Sequence, residues 1–277
     1  MSLRLVCFFS HFVLKRIIQI KIRMAYKYIQ LEQQAEVVTL WLNRPEKRNA
    51  FNHEMVLEML DAIHYVNQLP DNIILLLKGR GDVFCAGADL GWMHDARKLT
   101  HEQNYAECLD ISKMYYALYT CNKVTLAVVQ GSAVGGGAGL VAACDMAVCH
   151  ENTQFSLSEL RIGVVAACIS PYLLKKLGEP RTKELLFTAL SFKGKDAEAY
   201  GLVNRSVAKI GVNKVIQNYI SLILLGSAGA RKLSKQLIHS LANDAIDEDS
   251  VVKTAKILAD IRVSDEAQER MAAFLKK

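Results

Sequence analysis

The chain has 277 residues, 51% of them apolar, which suits one large domain with a sizeable core, or such a domain with a helical appendage. The formal charge of +6 comes largely from one end: residues 1–23 hold Arg4, Lys15, Arg16, Lys21 and Arg23 with no acid, and the other residues carry 29 basic against 28 acidic side chains. A nearly neutral body has no electrostatic footing for nucleic acid.

The apolar run Leu5 to Leu14 is interrupted by Ser10 and His11 and is too short to span a bilayer. Lys15 and Arg16 follow it where a cleaved leader would place small residues. The absence of acids resembles a mitochondrial transit peptide, though serines are few. Residues 1–23 are expected to be an extension outside the fold, ahead of a start at Met24, and no membrane partner is expected.

Tyr28 to Glu32 and Glu36 to Leu42 read as a strand hairpin that Asn43-Arg44-Pro45 ends. From His53 to Leu69, apolar Met55, Leu57, Met59, Leu60, Ile63, Val66 and Leu69 recur at helical spacing. Strand Ile73 to Lys78, a helix over Glu102 to Tyr119, and strand Thr125 to Gln130 follow. Further strands are expected at Met146 to Cys149 and Gln154-Phe155. From Ser170 the pattern is almost wholly helical. The alternation before residue 150 implies α/β layers with largely parallel strands. Residues 24–207 are expected to form the core, and 208–277 a helical C-terminal region.

Two glycine-rich stretches follow strand-like runs. One is Gly81-Asp82-Val83-Phe84-Cys85-Ala86-Gly87-Ala88-Asp89-Leu90; the other is Gly131-Ser132-Ala133-Val134-Gly135-Gly136-Gly137-Ala138-Gly139-Leu140. Tiny residues let a ligand approach the backbone, and a helix start points free N–H groups outward. Two such turns side by side can hold a developing negative oxygen between two main-chain donors. Either turn alone is also what ordinary tight packing requires. Gly137-x-Gly139-x-x-Ala142, with Glu159 beyond it, fits a loose dinucleotide fingerprint. A strand at Cys144 to Cys149 leaves only about seven residues for a crossover helix, which argues against nucleotide binding.

These residues resemble the enoyl-CoA hydratase/isomerase, or crotonase, superfamily. Leu42 to Asn52 is similar to the family's opening turn, Phe84 to Leu90 to its first oxyanion loop, and Val129 to Gly137 to its second. Cys144-Asp145 with Phe155 to Gly163 resembles the segment that carries the catalytic acid. Ala199-Tyr200-Gly201-Leu202-Val203 resembles the turn that closes the core. The motifs run in the family's order, strongly from Tyr28 to Val207. The resemblance implies a crotonase-like ββα spiral core with a C-terminal trimerisation region. It further implies backbone donors at Ala88 and Gly136, an acid at Glu159, and a substrate-binding surface that includes Ala50, Ala86, Gly87, Asp89 and Gly139. Arg44, Lys47 and Arg48 near the opening turn are candidates for coenzyme A phosphates, or simply a solvated turn.

The chain departs from the two-glutamate hydratases in two places. Gly139 stands where they carry one glutamate, so Glu159 is the acid retained. The segment after Glu159 also lacks the family's glycine-rich turn; its Ile169-Ser170-Pro171-Tyr172 ending is similar to bacterial methylglutaconyl-CoA hydratases of leucine degradation. One carboxylate can add water in a syn sense, but a double-bond isomerase also needs only one shuttling base. The resemblance thus implies hydration of an enoyl-CoA, with 3-methylglutaconyl-CoA the candidate and Gly139 leaving room for a branched chain. An isomerase and a non-catalytic acyl-CoA binder stay open. Leu157, Leu160 and Ile162 are expected to raise Glu159 by desolvation. Ser156 or Ser158 would alternatively cap a helix with Glu159 in its first turn.

Seven cysteines form no C-x-x-C pair, and seven histidines show no zinc spacing. Free thiols point to a reducing, cytoplasmic setting. Cys85 is expected to pack rather than react, and His94 to lie on a helix surface. No metal and no separate cofactor is expected, coenzyme A being part of the substrate. The expected partner, besides the thioester, is another copy of the chain, as a homotrimer or a dimer of trimers.

Overall fold

The computed structural model describes residues 26–242 and 246–276. The expected extension over residues 1–23 lies outside them. Strands β1 (Ile29–Gln34) and β2 (Val37–Leu42) pair antiparallel, with Ile29 opposite Leu42. Helix α1 (His53–Gln68) starts where the Asn52 side chain accepts the Met55 N–H at 3.1 Å. Strand β3 (Ile74–Gly79) runs parallel to β2. A short helix α2 (Leu90–Asp95) and the long α3 (His101–Tyr119) precede β4 (Val124–Val129).

Next come β5 (Ser132–Val134), α4 (Gly136–Ala143), β6 (Met146–His150) and β7 (Gln154–Ser156). Helix α5 (Ser170–Thr188) kinks at Gly178, whose φ is +71°, just ahead of Pro180. Two strands interrupt the expected helical run: β8 (Phe192–Lys193) and, after α6 (Gly194–Tyr200), β9 (Arg205–Val207). Both are too short for a period-two pattern to register. Helices α7 (Val212–Leu225), α8 (Ala228–Leu241), α9 (Glu248–Arg262) and α10 (Asp265–Leu275) finish the chain.

The main sheet runs β1-β2-β3-β4-β6-β9, parallel beyond the first pair, and a small sheet runs β5-β7-β8. Each central strand is buried on both faces, which is why its sequence is a continuous apolar run rather than an alternation. Leu75, Leu77, Ala127 and Val129 face α1, α3 and α4 in the larger core. Ile74, Leu76, Leu126 and Val128 face Val212, Ile216 and Ile220 of α7. Each large aliphatic side chain so buried contributes about 1.5–3 kcal/mol. Helix α7, assigned by the sequence reading to the C-terminal region, therefore covers the second face of the core sheet.

Helix α8 meets the body through ion pairs and one ring contact, His239 stacking on Tyr119 with centroids 4.2 Å apart. Lys232 Nζ lies 3.1 Å from Asp71 Oδ2, and Lys235 Nζ lies 2.8 Å from Asp145 Oδ2. No residue of α8, α9 or α10 is fully buried, among the described residues.

Candidate active site

The two glycine-rich turns lie side by side. Cys85 N–H bonds Ser132 O at 3.1 Å, and Val134 N–H bonds Cys85 O at 3.0 Å, so the first turn runs along the start of the second. Phe51 clamps the far side of the first turn: its N–H reaches Gly87 O, and its carbonyl accepts the Asp89 N–H, both at 2.9 Å. Asn49 bonds the carbonyls of Arg80 and Val83 from beneath.

Gly87, with φ +90°, allows the close approach. A Cβ there would sit 2.8 Å from Val134 O and 3.5 Å from the Gly136 nitrogen. The Ala88 N–H, between engaged neighbours, and the Gly136 N–H, at the first turn of α4, have no acceptor among the described residues. Both residues line one cavity of about 530 Å³.

Glu159 lines the same cavity. It opens a short 3-10 turn, Glu159–Ile162, and Ser158 makes no side-chain cap there. Gly135 makes its seat. Its φ of +51° suits glycine, and a Cβ would sit 2.7 Å from Glu159 Oε1. Glu159 Oε2 is buried without a hydrogen-bond donor from the described residues. Desolvation by burial raises this acid above the ordinary glutamate range.

Gly139 requires a correction. It lines no part of the cavity, and the space at its Cβ is occupied: Ile169 Cγ2 would lie 2.2 Å away and Tyr115 Cε1 3.2 Å away. The missing side chain makes room for Ile169, not for a branched acyl group. The fitted residue belongs to the same Ile169-Ser170-Pro171-Tyr172 segment whose sequence suggested the subgroup. Asp89 is also turned away from the cavity. Its carboxylate accepts the Gly91 N–H at 2.9 Å at the start of α2 and lies 3.1 Å from Arg44 Nη2. These hydrogen bonds and the Arg44 charge hold it below the ordinary aspartate range, against the pull of its own burial.

Arg44 is likewise committed inward. It is buried, donates to Ala50 O at 2.6 Å, and lies over the Tyr28 ring. Lys47 and Arg48 remain exposed on the opening turn, and the Arg48 carbonyl accepts the Ala86 N–H at 3.0 Å. Ala86 and Gly87 line the cavity; Ala50, Lys47 and Arg48 do not. Cys85 packs as expected: it is buried, its thiol contacts Asn49 O at 3.2 Å, and burial pushes it up to about 12. His94 is exposed.

Sequence reading missed Tyr115. This buried residue of α3 donates from its hydroxyl to Gly136 O at 2.7 Å, and desolvation holds it well above the ordinary tyrosine range. It looked like one more apolar helix position. Among the described residues no group of His, Cys, Asp and Glu is arranged to hold a metal ion. No helix there is long and apolar enough to cross a membrane.

The model of the family described as Enoyl-CoA hydratase/isomerase matches residues 32–277. The chain is 34% identical to a Thermus thermophilus protein that carries the name enoyl-CoA hydratase provisionally, over 90% of this chain and 98% of that one. It is 30% identical to the crotonyl-CoA hydratase of Syntrophomonas wolfei, over 92% of this chain and 97% of that one. Among solved structures, an enoyl-CoA hydratase from Shewanella pealeana superposes with a TM-score of 0.87 at 32% identity, covering 91% of this chain and 94% of that chain. The α/β architecture with C-terminal helices is thus that of the crotonase fold.

Proposed function

This chain belongs to the enoyl-CoA hydratase/isomerase family, and from that premise we propose that it hydrates a branched α,β-unsaturated acyl-CoA with Glu159 as its one acid–base group. The observation that carries this reading is the Glu159 carboxylate, seated on Gly135 with a buried Oε2 that has no donor among the described residues, in the cavity that Ala88 and Gly136 also line.

In this reading the thioester oxygen sits between the two N–H groups. Glu159 takes a proton from water as its oxygen bonds to the β-carbon. The C=C electron pair moves toward the thioester, and negative charge collects on its oxygen. Loss of one such donor typically costs about 3–4 kcal/mol of transition-state stabilisation. The proton on Glu159 then passes to the α-carbon on the same face and restores the carboxylate. A raised proton affinity suits a group that must accept and release a proton near neutral pH. No metal or separate cofactor enters this scheme.

An apolar lining of Met93, Ile111, Val164, Val165 and Ile169 supports a hydrocarbon chain. Two branched candidates, 3-methylcrotonyl-CoA and 3-methylglutaconyl-CoA, differ by one carboxylate. The segment ending at Tyr172 supports the second. Double-bond isomerisation is the second reading, favoured by Ile169 standing where a second acid would project from Gly139. Exposed Lys47 and Arg48 are proposed to meet coenzyme A phosphates.

Exposed apolar side chains at Leu222, Leu225, Ile238, Val251, Leu258 and Phe274 support a homotrimer or a dimer of trimers built through residues 208–277. Unpaired thiols at the six described cysteines support a cytoplasmic setting. The test is a panel of crotonyl-, 3-methylcrotonyl-, 3-methylglutaconyl- and 3-enoyl-CoA offered to the purified protein. Loss of enoyl absorbance with formation of a 3-hydroxyacyl-CoA supports hydration. A shifted double bond without water uptake would replace it by isomerisation, and no turnover of any thioester would leave a binding protein. Light scattering on the same preparation reads the assembly.

A further inference from the structure

A second carboxylate, which the proposed chemistry does not use, lines the cavity. Glu107 on α3 shares this space with Glu159, and these are the charged side chains among the described lining residues; no Lys, Arg or His is among them. Glu107 is held in place: its Oε2 accepts the Trp92 Nε1–H at 2.8 Å, and its Oε1 lies 3.5 Å from His53 Nδ1. His53 Nε2 in turn lies 3.1 Å from Asp110 Oδ2, and the imidazole stacks on Trp92 with ring centroids 6.1 Å apart. Three helices therefore meet at this carboxylate, whose side chain is only 22% exposed.

Its place along α3 says what it would meet. Tyr115 marks the reacting end, through its bond to Gly136 O. Glu107 lies two helical turns earlier, roughly 12 Å along the axis at about 1.5 Å per residue. Between them Ile111 and Cys108 line the wall. That reach suits the far end of a medium-length acyl chain rather than its reacting carbons.

We infer that Glu107 is a specificity-determining residue that rejects acyl chains ending in a carboxylate and admits neutral or hydroxyl-bearing ones. A second anion brought into this apolar space meets a like charge, and no Lys, Arg or His lines the cavity to offset it. A hydroxyl could instead donate to Glu107. This deepens the proposed function and rests on the acyl chain occupying this cavity.

The test is a binding measurement, so that it survives failure of the hydration reading. Calorimetry compares octanoyl-CoA with suberyl-CoA, the same chain carrying a terminal carboxylate, on the full chain. The parent should bind octanoyl-CoA at least tenfold more tightly. Glu107→Gln and Glu107→Ala should each narrow that ratio to about threefold or less. Trp92→Phe removes the hydrogen bond but keeps the charge, and should retain the discrimination; a merely structural role would make it behave like Glu107→Gln. A parent that binds both thioesters alike, or neither, overturns the inference. So do Glu107 variants that keep the parent ratio. Discrimination in binding without turnover of any enoyl-CoA would sink the hydration reading alone.

Discussion

At one end of the cavity the groups that would meet the thioester are fastened to the sheet. The neighbours of Ala88 and Gly136 are held by backbone bonds, Gly87 and Asp89 to Phe51, Cys85 to Ser132 and Gly135 to Ser156, and Glu159 leans on Gly135. At the other end, Trp92 and Val165 stand on short, partly exposed segments, and Glu107 stands on the exposed first half of α3, ahead of the turns of that helix that pack on the main sheet. The difference is one of constraint. A donor aimed at a developing charge must be fixed within a fraction of an ångström, which packed backbone supplies. A wall that selects a chain needs only shape and charge, which side chains supply and exchange readily.

The strongest way to break this comparison is at Glu159. Glu159→Gln should lower kcat by at least about 10²-fold on the best thioester while KM changes little, since general acid–base groups contribute about 10²–10⁴-fold. A near-native rate would remove Glu159 from the chemistry. The parent kcat/KM should also fall with decreasing pH at a value above the ordinary glutamate range, because burial favours the protonated form. The stability consequence has the opposite sign to that of a salt-bridged acid. A raised folded value means that the charged form is penalised in the folded protein. That penalty is present above the folded value and is relieved as pH falls below the unfolded one. Removing the charge should therefore leave the melting temperature at neutral pH no lower than the parent's.

Most of the sheet-bound end was legible in the sequence, and most of the other end was not. The strand runs, the glycine turns and Glu159 announce themselves because backbone geometry restricts which residues can stand there. Gly135 and Gly87 are such positions. Tyr115 and Ile169 do not: each reads as one more apolar residue on a helix or at its start, and only their meeting at Gly139 gives them meaning. Arg44 and Asp89 misled in the other direction. The charge of Arg44 and the motif around Asp89 suggested ligand contact, yet the two bind each other beside the first turn. A charge in a sequence carries no record of whether its partner is a ligand or another side chain.

Gly139 sharpens the boundary between the two ends. Gly139→Glu does not create a two-acid site by itself, because its side chain would enter space held by Ile169 and Tyr115. Overpacking of this kind typically costs about 1–3 kcal/mol, and each kcal/mol lowers the melting temperature of a chain near this size by about 2–4 °C. The further change Ile169→Ala should recover part of that loss. Only the double variant should then shift kcat/KM toward linear crotonyl-CoA relative to 3-methylcrotonyl-CoA. A single Gly139→Glu variant that melts with the parent would show that the Ile169 contact yields easily, and the cavity floor would have to be counted with the exchangeable wall.

The smallest expected effect tests whether fixation passes through a side chain. Tyr115 is buried, and its hydroxyl reaches the carbonyl of the residue whose N–H is proposed to bind the oxyanion. Tyr115→Phe preserves the ring against Tyr172 but leaves Gly136 O without this donor. A buried group left unpaired costs about 1–3 kcal/mol. If about 1 kcal/mol of that is felt as misplacement of Gly136 in the transition state, kcat falls about fivefold. Tyr115 touches no reacting atom in this scheme, so it is a positioning residue, and the loss should appear in kcat with KM and the pH profile unchanged. A purely structural tyrosine would instead lower the melting temperature with no loss of kcat. A shift of the acid limb of the pH profile would mean that Tyr115 acts on Glu159 rather than on Gly136, and the oxyanion turn would then owe its geometry to backbone alone.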